Sequence, residues 1–244
     1  MHARFGYCFM TPPGSQYPPI LREKRLTPAH KVLISGQGGD IEALPVLQDH
    51  GDIPSLGFRI GNVAYSADIK NLPDESLSLM QGLDVWLDEP TSRAMHARFG
   101  YCFMTPPGSE YPPIAHERRL TPGEAVTISG QGGDIEVMPI LQNHGDIPSL
   151  GFRIGNVAYS ADIKYLPDES LPLMEGLDVW IVDALRRAPH PSHLNLDEAL
   201  YWIDRMKPKR AVLTNLHTDM DYAVLTAELP IHIAPGFDGM TFDA

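Results

Sequence analysis

The stretch HGDIPSLGFRIGNVAYSADIK occurs twice in the chain without a mismatch, at residues 50–70 and again at 144–164. Apolar and polar residues alternate on either side of a Gly-Asn pair, which is the pattern of a β-hairpin. A histidine starts the stretch and an aspartate lies near its end; in the second occurrence these are His144 and Asp162. The stretch therefore predicts a hairpin with a possible metal ligand at each of two strand ends.

The repeat extends beyond this stretch. Residues 1–86 align without a gap with residues 95–180, and about 15 of these 86 positions differ. After Trp86 the first copy continues as LDEPTSRA into the second, whereas the second copy continues as IVDALRRA into a tail that occurs once. Solenoid repeats end in capping units, and this one does not. We interpret the chain as a duplicated partial segment, 1–94, followed by the C-terminal part of a domain, 95–244.

Composition and charge limit the classes of function. The 244 residues are 43% hydrophobic and 20% charged, which is typical of a soluble globular protein. A net charge of -12 argues against bulk nucleic-acid binding, because no basic excess is available to neutralise phosphates. Neither a signal peptide nor a membrane-spanning run is recognisable. We therefore expect a cytoplasmic protein without a membrane partner, whose Cys8 and Cys102 are free thiols.

Most of the second copy is predicted as strand. Two strand-like runs, 125–129 and 135–141, flank GQGGD, which lacks the GK[ST] of a phosphate loop and suits a hairpin turn. The apolar run GLDVWIVDAL predicts a buried strand. The proline-rich segments 11–20 and 105–114 predict a rigid loop, either a lid beside a site or plain surface.

The tail alternates helix and strand. NLDEALYWIDRM predicts an amphipathic helix that Asn195 caps, with Glu198 three residues on, and that ends at Pro208. A strand RAVLTNLH, a helix TDMDYAVLTAEL and a closing pair of strands in IHIAPGFDGMTF come next. This alternation predicts a mixed α/β class (α/β or α+β), with helices covering a sheet.

Three candidate ligands lie at predicted strand ends: His144, Asp162 and His217. In an open sheet, side chains converge at the strand ends, and imidazole with carboxylate suits a first-row metal. Taken singly, each residue also has a simpler role. A histidine at a strand end can cap the strand or lie on the surface, and Asp162 can close an Asx-turn. Spacing alone leaves both interpretations open.

Taken together, the motifs resemble a known family. SLGFRIGNVAYSAD, GLDVWIVDAL, HPSHLNLDEAL, RAVLTNLHTDMDY and PGFDGM, in this order, are similar to the second half of the metallo-β-lactamase superfamily, and most of all to its phosphoribosyl cyclic phosphodiesterase branch. The resemblance covers 95–244 continuously and 1–86 as a partial second copy. It implies an αββα sandwich with a dinuclear Zn or Mn site at one edge, and hydrolysis of a small-molecule phosphodiester such as a cyclic phosphate.

The resemblance also implies residue roles. His144 matches a ligand histidine, and Asp162 matches the aspartate that bridges two metal ions. His217 is the best match to the last ligand histidine, although relatives can have LTH where this chain has LTN. His193 matches a histidine that contacts the substrate phosphate or donates a proton to the leaving group, a catalytic role. The equivalents of His144 and Asp162 in the first copy are His50 and Asp68.

The chain departs from the family at one motif. No window contains HxHxDH, which supplies much of one metal site, so we expect weak or partial metal binding and an incomplete sandwich that lacks its N-terminal half. Exposed strand edges and apolar surface then predict possible self-association. Three hypotheses result: a metal-dependent phosphodiester hydrolase, a catalytically inactive rearranged remnant, and a non-catalytic binding protein.

Overall fold

A computed structural model describes residues 24–36, 39–50, 53–61, 63–66, 71–105, 107–108, 113–130 and 133–241. The chain forms two compact units. One comprises Met1–Asp84 and Tyr101–His116, and the other Val85–Gly100 and Glu117–Ala244. The division at residue 94, which was drawn from the repeat, stays a prediction. Within the described ranges, no helix is both long enough and apolar enough to cross a bilayer.

The first copy forms a four-stranded antiparallel sheet, in the order β1-β2-β3-β4. Its strands are β1 (Val32–Gly36), β2 (Gly39–His50), β3 (Ile53–Ile60) and β4 (Val63–Tyr65). A short helix, α1 (Asp74–Leu77), leads into a 3₁₀ turn at Ser78–Met80. Strand β4 is an edge strand whose Val63 and Tyr65 side chains are exposed.

The segment that joins the two copies contains a helix between two paired strands. The strands are β5 (Leu83–Leu87) and β6 (Ala115–Arg119), and the helix is α2 (Glu89–Phe103), with non-helical backbone angles at Phe99. Cys102 lies in α2 as a buried free thiol, as predicted, whereas Cys8 lies outside the described residues. So do all of 11–20 and much of 105–114, so the predicted proline-rich loops stay predictions.

The second copy forms the predicted hairpins. Its antiparallel strands are β7 (Val126–Gly130), β8 (Gly133–His144), β9 (Ile147–Ile154) and β10 (Val157–Ser160). In the β9–β10 hairpin Ile154 pairs with Val157, so the turn is the predicted Gly155-Asn156 pair. Gly155 has φ +57°, a left-handed conformation that glycine adopts without a Cβ penalty.

Three parallel strands extend this sheet beyond β10. They are β11 (Val179–Asp183), β12 (Arg210–Thr214) and β13 (Ile233–Pro235), and the seven-stranded order is β13-β12-β11-β10-β9-β8-β7. Strand β11 confirms the predicted buried strand. The predicted closing pair of strands is wrong, because β13 is the only strand in 229–241. Gly239 has φ +87°, so the backbone turns where a second strand was expected.

Two helices connect the parallel strands: α3 (Leu196–Met206) and α4 (Tyr222–Glu228). Helix α3 begins with the predicted capping box, in which the Asn195 side chain accepts the Glu198 N–H and the Glu198 carboxylate accepts the Asn195 N–H, both at 2.9 Å. The helices and one face of the sheet share an apolar core that includes Trp180, Val182, Ala199, Ile203, Leu213 and Leu225. The predicted mixed α/β class with helices on a sheet is confirmed.

Candidate metal centre

The directions of the strands bring polar residues to one edge of the seven-stranded sheet. Strands β8 and β10 both pair antiparallel with β9, so they run the same way, and β11 and β12 run parallel to β10. The carboxyl ends of these four strands therefore lie on one edge, where ligands of open sheets gather. The polar residues that end or follow these strands are His144, Asp162, Asp183 and Asn215.

Three side chains converge at this edge. His144, Asp162 and His193 each offer one ligand atom, and these atoms lie within 4.8 Å of one another. The two imidazole rings meet edge to face, with centroids 4.5 Å apart. Ligand atoms around one first-row ion, each about 2.0–2.2 Å from it, are separated by about 3–4 Å. The three ligand atoms therefore lie near the spacing that one ion needs.

The loop between β11 and α3 delivers His193. The backbone N–H of Leu194 donates to the carbonyl of Ile163 at 2.9 Å, which ties this loop to the segment that carries Asp162. Within the loop, the backbone N–H groups of Ser192 and His193 donate to Nδ1 of His190. Burial, aided by the charge of His193, lowers the pKa of His190, in agreement with this acceptor role. The His190 ring thus closes the loop by accepting hydrogen bonds from two of its backbone N–H groups.

The turn after His144 packs closely against the same loop because residue 145 is a glycine. Gly145 has φ +74°, and a Cβ built on it would lie 2.9 Å from the Cβ of Ser192 and 3.2 Å from the carbonyl oxygen of Pro191. A larger residue would have to push the loop away. The close approach of these two segments therefore depends on the absence of a side chain at position 145.

A buried carboxylate supports His193 from behind. The Nδ1 of His193 lies 2.7 Å from Oδ2 of Asp183, a fully buried side chain, and Nδ2 of Asn215 donates to Oδ1 of the same carboxylate at 3.1 Å. When Asp183 is ionised, it accepts a hydrogen bond from Nδ1–H of His193, and the ring lone pair then lies on Nε2. This is the arrangement by which carboxylates orient histidine ligands of metals.

Burial and neighbouring charge alter the acidity of the Asp183 carboxyl. Burial raises the pKa of Asp183 to about 8, against the opposing hydrogen bond from Asn215, and the negative charge of Asp162 raises it further. A divalent ion at this edge would oppose that shift, because its positive charge favours the ionised form of Asp183. A bound cation and the ionised form of Asp183 would therefore stabilise each other.

The donor set fits a divalent metal ion, the cofactor that the family resemblance implies. Two imidazoles and a carboxylate are ligands that suit zinc and other first-row ions. The Nδ1 of His144 is buried and has no hydrogen-bond partner, which is costly unless a proton donor or an ion satisfies it. His144, Asp162 and His193 are the residues that would hold the ion.

The structure brings some of the predicted site residues together and leaves another apart. It brings together His144, Asp162 and His193, the last of which was predicted as a catalytic rather than a ligand residue. His217 does not belong to this group: its side chain is 58% exposed, and its Nδ1 lies 2.8 Å from Oδ1 of Asp219. The expectation that His217 closes a strand is wrong, because β12 ends at Thr214. Its assignment as a ligand stays a prediction.

The first-copy equivalents have no described side chain. The backbone of His50 ends β2, but its side chain and all of Asp68 lie outside the described residues, so both assignments stay predictions. Sequence reasoning missed Asp183 and Asn215. A signal for Asp183 existed, since it is a carboxylate that ends the buried apolar run VWIVD. Asn215 offered one as well, since it stands where relatives can have the histidine of LTH.

A family model described as the beta-lactamase superfamily domain matches residues 85–215, more than half of the chain. The chain therefore belongs to this superfamily, and its fold is that of the metallo-β-lactamase members. One curated relative, an octanoyltransferase of Porphyromonas gingivalis (strain ATCC BAA-308 / W83), is 32% identical over 113 residues. That match covers 45% of this chain but only 23% of the relative, so the chain spans less than a quarter of that protein.

Solved structures agree with this assignment. A diphosphatase from the PhnP family shares 26% identity with a TM-score of 0.56, and the match covers 66% of this chain and 58% of that one. Zn²⁺-bound PqqB from Methylobacterium extorquens shares 11% identity with a TM-score of 0.51, and the match covers 72% of this chain and 70% of that one. The second likeness concerns the fold alone.

Proposed function

We propose that this chain is a metal-dependent hydrolase of phosphodiesters, with small-molecule cyclic phosphates as its substrate class. The observation that carries the proposal is the convergence of His144, Asp162 and His193, whose ligand atoms lie within 4.8 Å of one another. The likeness to a diphosphatase supports phosphoryl chemistry in particular. Phosphoryl transfer depends largely on positioning and charge, which this edge can supply.

The ion of this site is Zn or Mn. A divalent ion there supplies Lewis-acid polarisation of a phosphoryl oxygen and a nucleophile from water at neutral pH. His144 holds its place at the end of β8, where its buried Nδ1 has no other partner. Asp162 is the exposed member of the three, so its carboxylate faces the side from which a substrate approaches.

The role of His193 depends on its partner. Asp183 fixes the ring through Nδ1, so Nε2 is the atom that faces the site. Nε2 either binds the ion or holds a proton for the leaving group, and Asp183 would stabilise the imidazolium in the second case. Metal content separates these roles. His193→Gln lowers the metal content if the residue is a ligand, and lowers only turnover if it is an acid.

The test uses the whole chain loaded with Zn or Mn and passed through gel filtration. Metal is measured per chain, and hydrolysis is measured with bis(p-nitrophenyl) phosphate and a ribose cyclic phosphate. Asp162→Ala removes a ligand, so we expect metal affinity to fall by more than about 100-fold, beyond the range for loss of an outer partner. Asp68→Ala, the same change in the first copy, should leave metal affinity unchanged. Equal losses in the two variants would refute this site.

A second candidate is a metal-binding protein without turnover. It is favoured by the sequence, in which no window carries HxHxDH. Metal uptake that depends on Asp162, together with no hydrolysis of either substrate, would support this candidate over the hydrolase. Self-association and a cytoplasmic location stay predictions; the gel-filtration volume of the loaded chain tests the first.

A further inference from the structure

Lys164 contacts the loop that delivers His193. It lies two residues after Asp162, and its side chain is 22% exposed. Its Nζ lies 2.6 and 2.8 Å from the two carboxylate oxygens of Glu198 and 3.3 Å from the carbonyl oxygen of His193. Charge-assisted contacts of this length are among the stronger hydrogen bonds in proteins. The ammonium therefore links the Asp162 segment to the His193 loop.

The backbone of Lys164 reaches the third ligand segment. Its N–H donates to the carbonyl of Asn143 at 2.6 Å, and the N–H of Asn143 donates to the carbonyl of Tyr165 at 3.0 Å. Asn143 immediately precedes His144. Lys164 thus joins all three segments that supply candidate ligands. It belongs to the loop after β10, its backbone bonds to the end of β8, and its side chain bonds to the loop before α3 and to α3 itself.

Glu198, the partner of Lys164, is itself held in place at the start of helix α3. Its Oε2 accepts the N–H of Asn195 in the capping box as well as a proton of Lys164. The carboxylate is therefore held by the first turn of α3. A lysine that is largely removed from water needs such a partner, because an unpaired charge there would be costly.

We propose that Lys164 is a positioning residue, which holds the His193 loop at the separation from Asp162 and His144 that a single divalent ion requires. The inference rests on the proposed metal site. Lys164 itself does not bind the ion, since its Nζ is directed at Glu198 and the His193 carbonyl. It acts through the positions of the three ligands. Lys164 holds the backbone of His193, whereas Asp183 and Asn215 hold its ring.

The first experiment compares two lysine variants by competition with a chromophoric zinc chelator. Lys164→Met should lower zinc affinity by about tenfold, the lower end of the range for residues that act through a ligand. Lys209→Met is the matched control: Lys209 also pairs with a carboxylate, that of Asp178, at 2.7 Å, but its side chain is 79% exposed. We expect its zinc affinity to equal that of the wild type. Lys164→Arg should restore most of the lost affinity.

A second variant guards against misfolding of Lys164→Met. Glu198→Gln keeps the capping box, because glutamine serves at this position, but removes the charge that Lys164 pairs with. It should lower zinc affinity in the same direction by a smaller factor. The double variant should be no worse than Lys164→Met alone, since the two residues act through one contact.

The metal-free chain supplies a readout that does not depend on the proposed function. In NMR spectra without metal, Lys164→Met should shift the ring signals of His144 and His193 and leave those of His217 and His232 in place. If the wild type takes up no zinc, the proposed function fails, and these ring signals still decide the role of Lys164. Zinc affinity equal in Lys164→Met and Lys209→Met, or unmoved ring signals, would overturn the inference.

Discussion

One hairpin sequence appears in two surroundings within this chain. In both copies β3 and β9 turn back in the same register, with Ile60 opposite Val63 and Ile154 opposite Val157. Arg59 and Arg153 donate to carbonyls at the same three offsets along the chain. Yet β4 is an exposed edge, whereas β10 lies between β9 and β11. Local sequence determines the hairpin, and the next strand along the chain determines whether the hairpin is buried.

The difference begins immediately after the equivalent tryptophans. The second copy continues as IVDA and forms β11, in which Val182 is fully buried in the core. The first copy continues as LDEP, so Asp88 stands where Val182 stands in the second copy, and a proline comes two residues later. An aspartate at the Val182 position would be a buried unpaired charge, and proline removes a ladder donor. The first copy therefore cannot build the parallel half of the sheet.

The largest effect should come from one alanine that both copies share. Ala158 in β10 is fully buried, whereas Ala64 in β4 is partly exposed. Ala158→Asp places an uncompensated charge in the core, and we expect the free energy of unfolding to fall by about 3–5 kcal/mol. Ala64→Asp should cost less than about 1 kcal/mol. Urea denaturation followed by circular dichroism measures both. Similar losses would mean that β4 is covered as β10 is.

A smaller effect is expected at two glycines of the second copy, where backbone strain can be distinguished from a steric clash with a neighbouring loop. Gly145 and Gly155 both have left-handed φ, so alanine at either should cost about 1–2 kcal/mol of stability. Only at Gly145 would the new Cβ meet Ser192, because nothing lies within 4 Å of a Cβ at Gly155. We expect Gly145→Ala to lower zinc affinity as well, and Gly155→Ala to leave it unchanged. Chelator competition decides, and equal affinities would contradict the contact.

The smallest effect is expected at two buried glutamines that occupy equivalent positions in the two copies. Neither amide atom of Gln142 has a hydrogen-bond partner, whereas Nε2 of Gln48, its equivalent, donates to Ser66. Methionine of similar volume removes the unsatisfied amide, so Gln142→Met should raise the free energy of unfolding by about 1 kcal/mol. Gln48→Met loses a bond and should show no gain. Thermal melts of the two variants provide the comparison, and a higher melting temperature for Gln48→Met would contradict it.

Local patterns predicted most of the fold. Alternation around Gly155-Asn156, the apolar run of β11 and the capping signals of Asn195 and Glu198 each act within a few residues, so each was predictable from the sequence. The candidate site depends on contacts between distant segments. The path of the loop that ends at Leu194 places His193 beside His144, and no local pattern encodes that path. The family resemblance supplied the information that periodicity could not.

Asp183 shows a different limit. Its neighbours in sequence are the apolar residues of a buried strand, so the sequence predicted a core position rather than a hydrogen-bonding role for Asp183. Its function in the proposed site comes from its partner His193, ten residues later and across a loop. The exposure of His217 depends likewise on where β12 ends, and Asn215, at φ +60°, turns the chain there before the histidine is reached.

The tryptophans give the two copies different optical properties. Trp180 is fully buried, and its indole N–H donates to the Ser160 hydroxyl at 3.0 Å, whereas its equivalent Trp86 is partly open to solvent. A collisional quencher in solution reaches an indole only where the ring meets water. The fluorescence of Trp180 is therefore shielded while the second copy is folded, and that of Trp86 is not. Because Trp180 lies in the strand that ends at Asp183, its emission reports on the strand that supports the metal site.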